Sequence, residues 1–147
     1  MSPEATAHSL RLTRVVRAHP ERVFRALTEP DELKHWFCPE GGTVKEVEVD
    51  LTVGGRFRVV MAMPDGDHEA AGVYRQIEPP RRVVCTWTWI RDDEEQGEET
   101  LLTFELEPRE DATEVILTHE RLPSAESRDS HEGGWSSALN RLEALFS

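Results

Sequence analysis

The run Ser124–Phe146 constrains the fold more than any other stretch, because it alone carries a long helical stripe. Trp135, Leu139, Leu142 and Phe146 recur at i, i+4, i+7 and i+11. Ala138 and Leu145 widen the stripe, while Ser136, Ser137, Asn140, Arg141 and Glu143 form an opposite, polar face. Such a helix must lay one side on an apolar surface and leave the other in water, and the remaining chain has to supply that surface.

Most of the remainder alternates with a period of two. Ser9–Arg17 sets Leu10, Leu12 and the Val15-Val16 pair among Arg11, Thr13 and Arg14, the pattern of a half-buried strand. The same period continues in Thr43–Leu51, Arg56–Met63, His68–Glu78, Arg82–Arg91, Glu99–Glu107 and Thr113–Arg121. Gly54-Gly55, Pro64-Asp65-Gly66, Pro79-Pro80, Asp92–Gly97 and Pro108–Ala112 punctuate the runs. Connections this short favour antiparallel neighbours, since a parallel crossover needs a dozen or more residues.

Between the first and second strands the period is helical. Pro20 suits a first turn, Glu21 suits the positive end of the helix dipole, and Val23, Phe24 and Leu27 share a face over Pro20–Thr28. Thr28-Glu29-Pro30 stops that helix, Asp31–Phe37 is predicted to form a second short one, and residues 38–42 are loop. The expected architecture is a two-layer α+β domain, a seven-stranded antiparallel meander packed on the long C-terminal helix. At 147 residues the chain has the length of one domain spanning 1–147, with residues 1–8 read as a disordered tail.

Alternation also assigns the buried side. Phe57, Val59, Met61 and Met63 share one face, as do Leu102, Phe104 and Leu106, and Val115, Leu117 and His119. In the fifth strand Val83, Cys85, Trp87 and Trp89 oppose Val84, Thr86, Thr88 and Ile90, and the bulkier set is placed inward. One helix does not easily fill a curved sheet, so a cavity between the two layers competes with an interior closed by its own aromatic rings.

The formal net charge of -12 repels phosphate backbones and anionic lipid, which argues against nucleic-acid and membrane partners. Cys38 and Cys85 are too few for a disulfide framework, and residues 1–14 lack the apolar core of a signal peptide, so a reducing cytoplasm is expected. No catalytic, metal or cofactor signature is legible. His35 and Cys38 have no second ligand pair, Asp65, Asp67, His68 and Glu69 lack calcium-loop spacing, and strand rather than helix follows Gly54-Gly55. Asp92, Asp93, Glu94 and Glu95 read as a solvated hairpin. Gly133-Gly134 is the local oddity: either the helix begins only near Ser130, or it begins at Ser124 and the pair lets its backbone approach the sheet beside Trp135.

Several spaced elements resemble the heat-shock-protein-90 ATPase activator-like family of the START-like (SRPBCC, helix-grip) superfamily. They are Pro20–Thr28 with Trp36, Gly54-Gly55-Arg56-Phe57, Ile77–Arg82 with Thr86-Trp87, Leu117-Thr118-His119 and Gly134-Trp135. The resemblance implies a helix-grip fold enclosing a hydrophobic cavity between sheet and C-terminal helix, in a family whose bacterial members are largely without assigned function. It implies as the leading expectation a protein that binds a hydrophobic or aromatic small molecule without a cofactor. The alternatives are a module assisting a heat-shock-protein-90-type chaperone, and a hydrolase or cyclase using the same cavity. The expected ligand-binding set is Trp36, Phe37, Phe57, Met61, Trp87, Phe104, His119, Trp135 and Leu139, with His119 either a core histidine hydrogen-bonded to a neighbour or, in an open interior, a polar handle on an apolar wall.

Overall fold

The computed structural model describes residues 8–91 and 94–146. They form one antiparallel sheet in the spatial order β1-β7-β6-β5-β4-β3-β2. The strands are β1 (His8–Val16), β2 (Thr43–Val49), β3 (Arg56–Met63), β4 (Gly66–Glu78), β5 (Arg82–Arg91), β6 (Glu94–Arg109) and β7 (Ala112–Leu122). Strands β2 to β7 follow one another in space as in sequence. The pairing of β1 with β7 is the exception, because α1 (Pro20–Thr28) and α2 (Pro30–Leu33) carry the chain from one sheet edge to the other before the meander returns. Leu12 thus faces Leu117, and Arg14 faces Val115. The long helix α3 (Ala125–Leu145) then lies on the inner face, nearest β1. This is the two-layer α+β arrangement expected from the periodicity, and it is the helix-grip fold that the resemblance implies.

The expected tail needs one adjustment: His8 already belongs to β1, and residues 1–7 lie outside the described residues. So do Asp92 and Asp93 of the expected β5–β6 turn, beyond which β6 begins at Glu94. The strand β6 is longer than the alternation indicated, running from Glu94 rather than Glu99. Backbone pairing with β5 continues through residues whose side chains carry no apolar period, Trp89 facing Gln96 and Ile90 facing Glu95.

The second helix ends at Leu33 instead of reaching Phe37. The cause lies in tertiary structure. The last carbonyls of α1 lack partners within the helix, and the Trp36 indole donates to one of them, Ala26 O, at 2.8 Å. Trp36 is fully buried there, and a regular continuation of α2 gives way to turns that seat it.

The inner face is apolar as alternation required, with Val59, Val115, Leu117, Leu139 and Leu142 all at 0% exposure. The outer face of β5 is buried as well, since Val84, Thr86 and Thr88 are as enclosed as Val83, Cys85 and Trp87. Arg75 on β4 reaches Glu99 on β6 at 3.4 Å, and this pair crosses over β5. Long side chains cover apolar surface with their stems while their charges stay wet, and small β-branched residues fit beneath them. Close approach also explains Gly72: a Cβ there would lie 1.9 Å from Thr86 O and 2.5 Å from the Phe57 ring.

Helix α3 opens on Ser124, whose hydroxyl accepts the Ser127 N–H at 3.0 Å. Trp135, Ala138, Leu139 and Leu142 are buried, and Phe146 packs partly buried beneath the Arg22 guanidinium, 4.9 Å from its ring centre. The face expected to be wet holds structure instead. Arg14 of β1 donates to Asn140 Oδ1 at 3.0 Å and to Ser136 Oγ at 2.9 Å. Arg141 and Ser137 bind the loop after α2, which brings that loop over the interior.

A candidate ligand cavity between helix and sheet

A cavity of about 1060 Å³ in all runs along the β2–β5 side of the sheet, partly facing the first half of α3 and partly on the opposite face. It has two parts. The inner part is lined by Phe37, Cys38 and Pro39 from the loop after α2, by Met61, Met63, His68, Trp87 and Trp89 from the sheet, and by Ser130, His131, Gly134, Trp135 and Ala138 from α3. The outer part touches Glu46, Arg58, Val60, Glu69 and Ile90, which by strand alternation point away from α3, and the hairpin residues Asp65 and Asp67.

Aromatic rings form the wall where the two layers meet. Trp87 stands 5.0 Å from Trp135, 5.9 Å from Phe37 and 5.5 Å from Trp89, while Phe37 is 5.6 Å from Trp135. Of the residues expected to bind ligand, Phe37, Met61, Trp87 and Trp135 line this cavity. Trp36, Phe57, Phe104, His119 and Leu139 stand behind it in the packed core. Phe104 meets Trp36 and Trp135 edge-on, and Phe57 backs Trp87 at 5.9 Å.

His119 is held by a complete hydrogen-bond chain. The Trp135 indole can only donate, and it gives its N–H to His119 Nδ1 at 3.1 Å, so the ring proton sits on Nε2. Nε2–H then donates to Thr100 Oγ1 at 2.7 Å, and Thr100 passes its own proton to Trp87 O at 2.7 Å. Burial pushes the imidazole pKa down to about 3, with the neighbouring His131 adding to the shift. His119 is therefore a neutral joint between α3, β5, β6 and β7, with neither nitrogen left for a ligand.

His131 mirrors it with the opposite tautomer. Trp89 donates to His131 Nε2 at 3.0 Å, and His131 Nδ1–H donates to Ser127 O at 2.8 Å. The two imidazoles lie 4.9 Å apart, nearly perpendicular. His131 is one helical turn before Trp135 and shares its face, a spacing that could have marked it in the sequence.

The loop over the cavity is pinned from α3. Arg141 Nη1 lies 3.1 Å from Cys38 O and 3.2 Å from Gly42 O, and Glu40 N–H donates to Ser137 Oγ at 2.7 Å. Arg141 Nη1 also lies 2.9 Å from Cys38 Sγ. Burial nonetheless dominates and raises the Cys38 pKa, the guanidinium offsetting part of the effect. The thiol stays protonated at neutral pH and is a poor nucleophile.

The outer part is ionic. Arg58 Nε meets Glu69 at 2.8 Å, and its Nη1 meets Glu48 at 3.3 Å and Glu46 at 3.6 Å. Lys45 pairs with Asp67 at 2.8 Å, and His68 Nε2 lies 2.8 Å from Asp65 Oδ1. His68 also meets Trp89 edge-on at 6.4 Å. Alternation alone made Arg58 and Glu69 ordinary solvent-facing residues, and nothing in their spacing marks the cavity. Among the described residues no cluster of His, Cys, Asp and Glu is arranged to hold a metal ion.

The helical glycines differ from expectation in a telling way. A Cβ on Gly133 would meet nothing within 4 Å, and one on Gly134 would meet only Pro39 Cγ at 3.7 Å. The pair does not serve close packing against the sheet, and Gly134 instead keeps the α3 wall thin beside the inner cavity. Gly133→Ala is accordingly expected to stabilise the fold by about 1 kcal/mol, the helix-propensity difference at a half-free site. A raised urea midpoint at unchanged slope checks this.

Residues 17–147 match the family described as Activator of Hsp90 ATPase homolog 1-like protein. Solved structures share the fold along nearly the whole chain. An AHSA1 protein from Silicibacter pomeroyi is 33% identical with a TM-score of 0.85, the match covering 94% of this chain and 96% of that one. A protein from Chromobacterium violaceum is 29% identical with a TM-score of 0.84 and the same coverage. CalU16 from Micromonospora echinospora is 26% identical with a TM-score of 0.73, over 96% of this chain and 77% of that one. No curated protein is significantly similar.

Proposed function

Starting from the fact that the chain belongs to the Activator of Hsp90 ATPase homolog 1-like family, we propose that it binds an apolar or aromatic small molecule in the inner cavity between α3 and the sheet. The observation that carries this reading is the aromatic wall of the inner cavity, where Phe37, Trp87 and Trp135 stand 5.0 to 5.9 Å apart. Small-molecule sites typically combine an apolar wall with a few polar groups. The packing of Trp36, Phe57, Phe104 and Leu139 supports the wall from behind and keeps its aromatic residues in place.

Two other readings draw less support. Catalysis by a hydrolase or cyclase needs a titratable group facing the reactant. Both nitrogens of His119 and of His131 are engaged, and the Cys38 thiol is held protonated. The His68–Asp65 pair stands at the hairpin rim. Assistance to a heat-shock-protein-90-type chaperone rests on the family description. No helix among the described residues is long and apolar enough to cross a membrane.

The test titrates the protein with naphthalene and follows the tryptophan indole N–H resonances. Saturable shifts are expected for Trp87 and Trp135. Gly134→Leu, which projects a side chain into the inner cavity, is expected to stay folded and lose the response. A folded wild-type protein that shows no saturable shift with naphthalene or other apolar aromatics would remove the binding reading. Stimulation of a heat-shock-protein-90 ATPase by this chain, in the same absence of small-molecule binding, would put the chaperone reading in its place.

A further inference from the structure

All four tryptophans are at least partly buried, and the indole N–H groups of three have acceptors. Trp36 donates to Ala26 O, Trp89 to His131 Nε2 and Trp135 to His119 Nδ1, at 2.8, 3.0 and 3.1 Å. Trp87 is the exception. It is 2% exposed, it lines the inner cavity, and its Nε1 has no hydrogen-bond partner. Buried donors are nearly always paired, because leaving one unpaired sacrifices the hydrogen bond it had with water.

The surroundings explain why no protein atom answers it. Trp87 is flanked by Phe37, Phe57, Trp89 and Trp135, with ring centres between 5.0 and 5.9 Å away. The nearby imidazoles offer nothing, since His119 Nδ1 is taken by Trp135 and His131 Nε2 by Trp89. Even the Trp87 carbonyl is occupied, accepting from Thr100. A donor has thus been left at an aromatic wall, and the two neighbouring imidazole nitrogens that accept from an indole are used by Trp135 and Trp89.

We infer that Trp87 Nε1–H is the polar recognition point of the cavity, and that the ligand it selects is a neutral aromatic or polycyclic molecule bearing a carbonyl. An acceptor is required because indole can only donate. Neutrality follows from the outer part of the cavity, where Glu46, Asp65, Asp67 and Glu69 face Arg58 as the one Arg or Lys among the lining residues. The net charge of -12 adds to that field and disfavours a carboxylate approaching the same donor. This assignment rests on the binding reading above and gives the polar-handle role weighed for His119 to a different residue.

The probes are acetophenone and α-methylstyrene, which differ in shape only by a carbonyl oxygen replaced with a methylene group, and benzoate as the anionic analogue. Each is titrated against wild type and Trp87→Phe, so that the differing hydration of the probes cancels in the comparison. The ratio of ketone to alkene affinity is expected to fall about 2- to 12-fold in Trp87→Phe, the range for one neutral hydrogen bond. In wild type the Trp87 indole N–H resonance should move downfield with acetophenone and not with α-methylstyrene, a readout that remains even if the variant folds poorly. Benzoate should bind more weakly than acetophenone. An unchanged ratio, or equal shifts with ketone and alkene, would mean that the N–H is directed at a neighbouring ring face and would overturn the assignment while leaving the cavity a binding site. Tighter binding of benzoate would overturn the preference for a neutral ligand. Absence of binding by every probe and by naphthalene would overturn both.

Discussion

Leu139→Ala is expected to lower the unfolding free energy by about 2–5 kcal/mol, the range for truncating a buried leucine when its surroundings close only partly over the void. Leu139 has no exposed surface and stands one turn after Trp135 on the buried face of α3. It belongs to the filled part of the interior, so little room exists for neighbours to relax into. Ser137→Ala is the control on the other face. It removes the acceptor of the Glu40 N–H and loosens the loop above the cavity, at a cost on the order of 1 kcal/mol. Urea melts read at equal slope should place the Leu139 variant well below the Ser137 variant. Coincident midpoints would mean that α3 does not bury this face.

The second large effect is loss of stability in acid, traced to His119. Its pKa falls from 6.5 when exposed to about 3 in the fold. Between those values the unfolded chain binds a proton that the folded chain refuses, so stability falls as pH decreases. The loss begins as pH drops through about 6.5, runs at up to about 1.4 kcal/mol per pH unit, and levels off near the folded pKa of about 3. Between pH 6.5 and pH 4 it amounts to about 3 kcal/mol, an order-of-magnitude figure. His119→Gln should be less stable than wild type at neutral pH, because it disturbs the bonds to Trp135 and Thr100, yet it should have a shallower acid limb. Carboxylate titration is common to both proteins and cancels in the difference. Parallel curves of unfolding free energy against pH would remove His119 as the cause.

These two residues show different degrees of legibility. Leu139 follows from the 3.6-residue period of α3, and its burial is what that period requires. His119 was placed inward by the two-residue period of β7, also as found. Its partners were another matter: Trp135, Thr100 and the Trp87 carbonyl come from three other elements, and no local pattern brings them together. The imidazole is therefore inward yet fully engaged, and the donor left for a ligand belongs to Trp87. Gly133-Gly134 was visible as an oddity from composition, but whether a glycine makes room for backbone or for a cavity depends on what lies opposite.

The sequence by itself determined the order of helices and strands, the antiparallel pairing implied by short turns, and the face each amphipathic element buries. These are consequences of side-chain period and of Gly and Pro at turns, which act over a few residues. Only the tertiary structure decided where α2 stops, because Trp36 is drawn to a carbonyl of α1. It alone covered the outer face of β5 with a pair spanning β4 and β6, turned Arg141 from the wet face of α3 to the Cys38–Gly42 loop, and divided the aromatic residues between packed core and cavity wall. Each of those outcomes depends on contacts between residues far apart in the chain, and alternation specifies a side chain's direction without specifying what it meets.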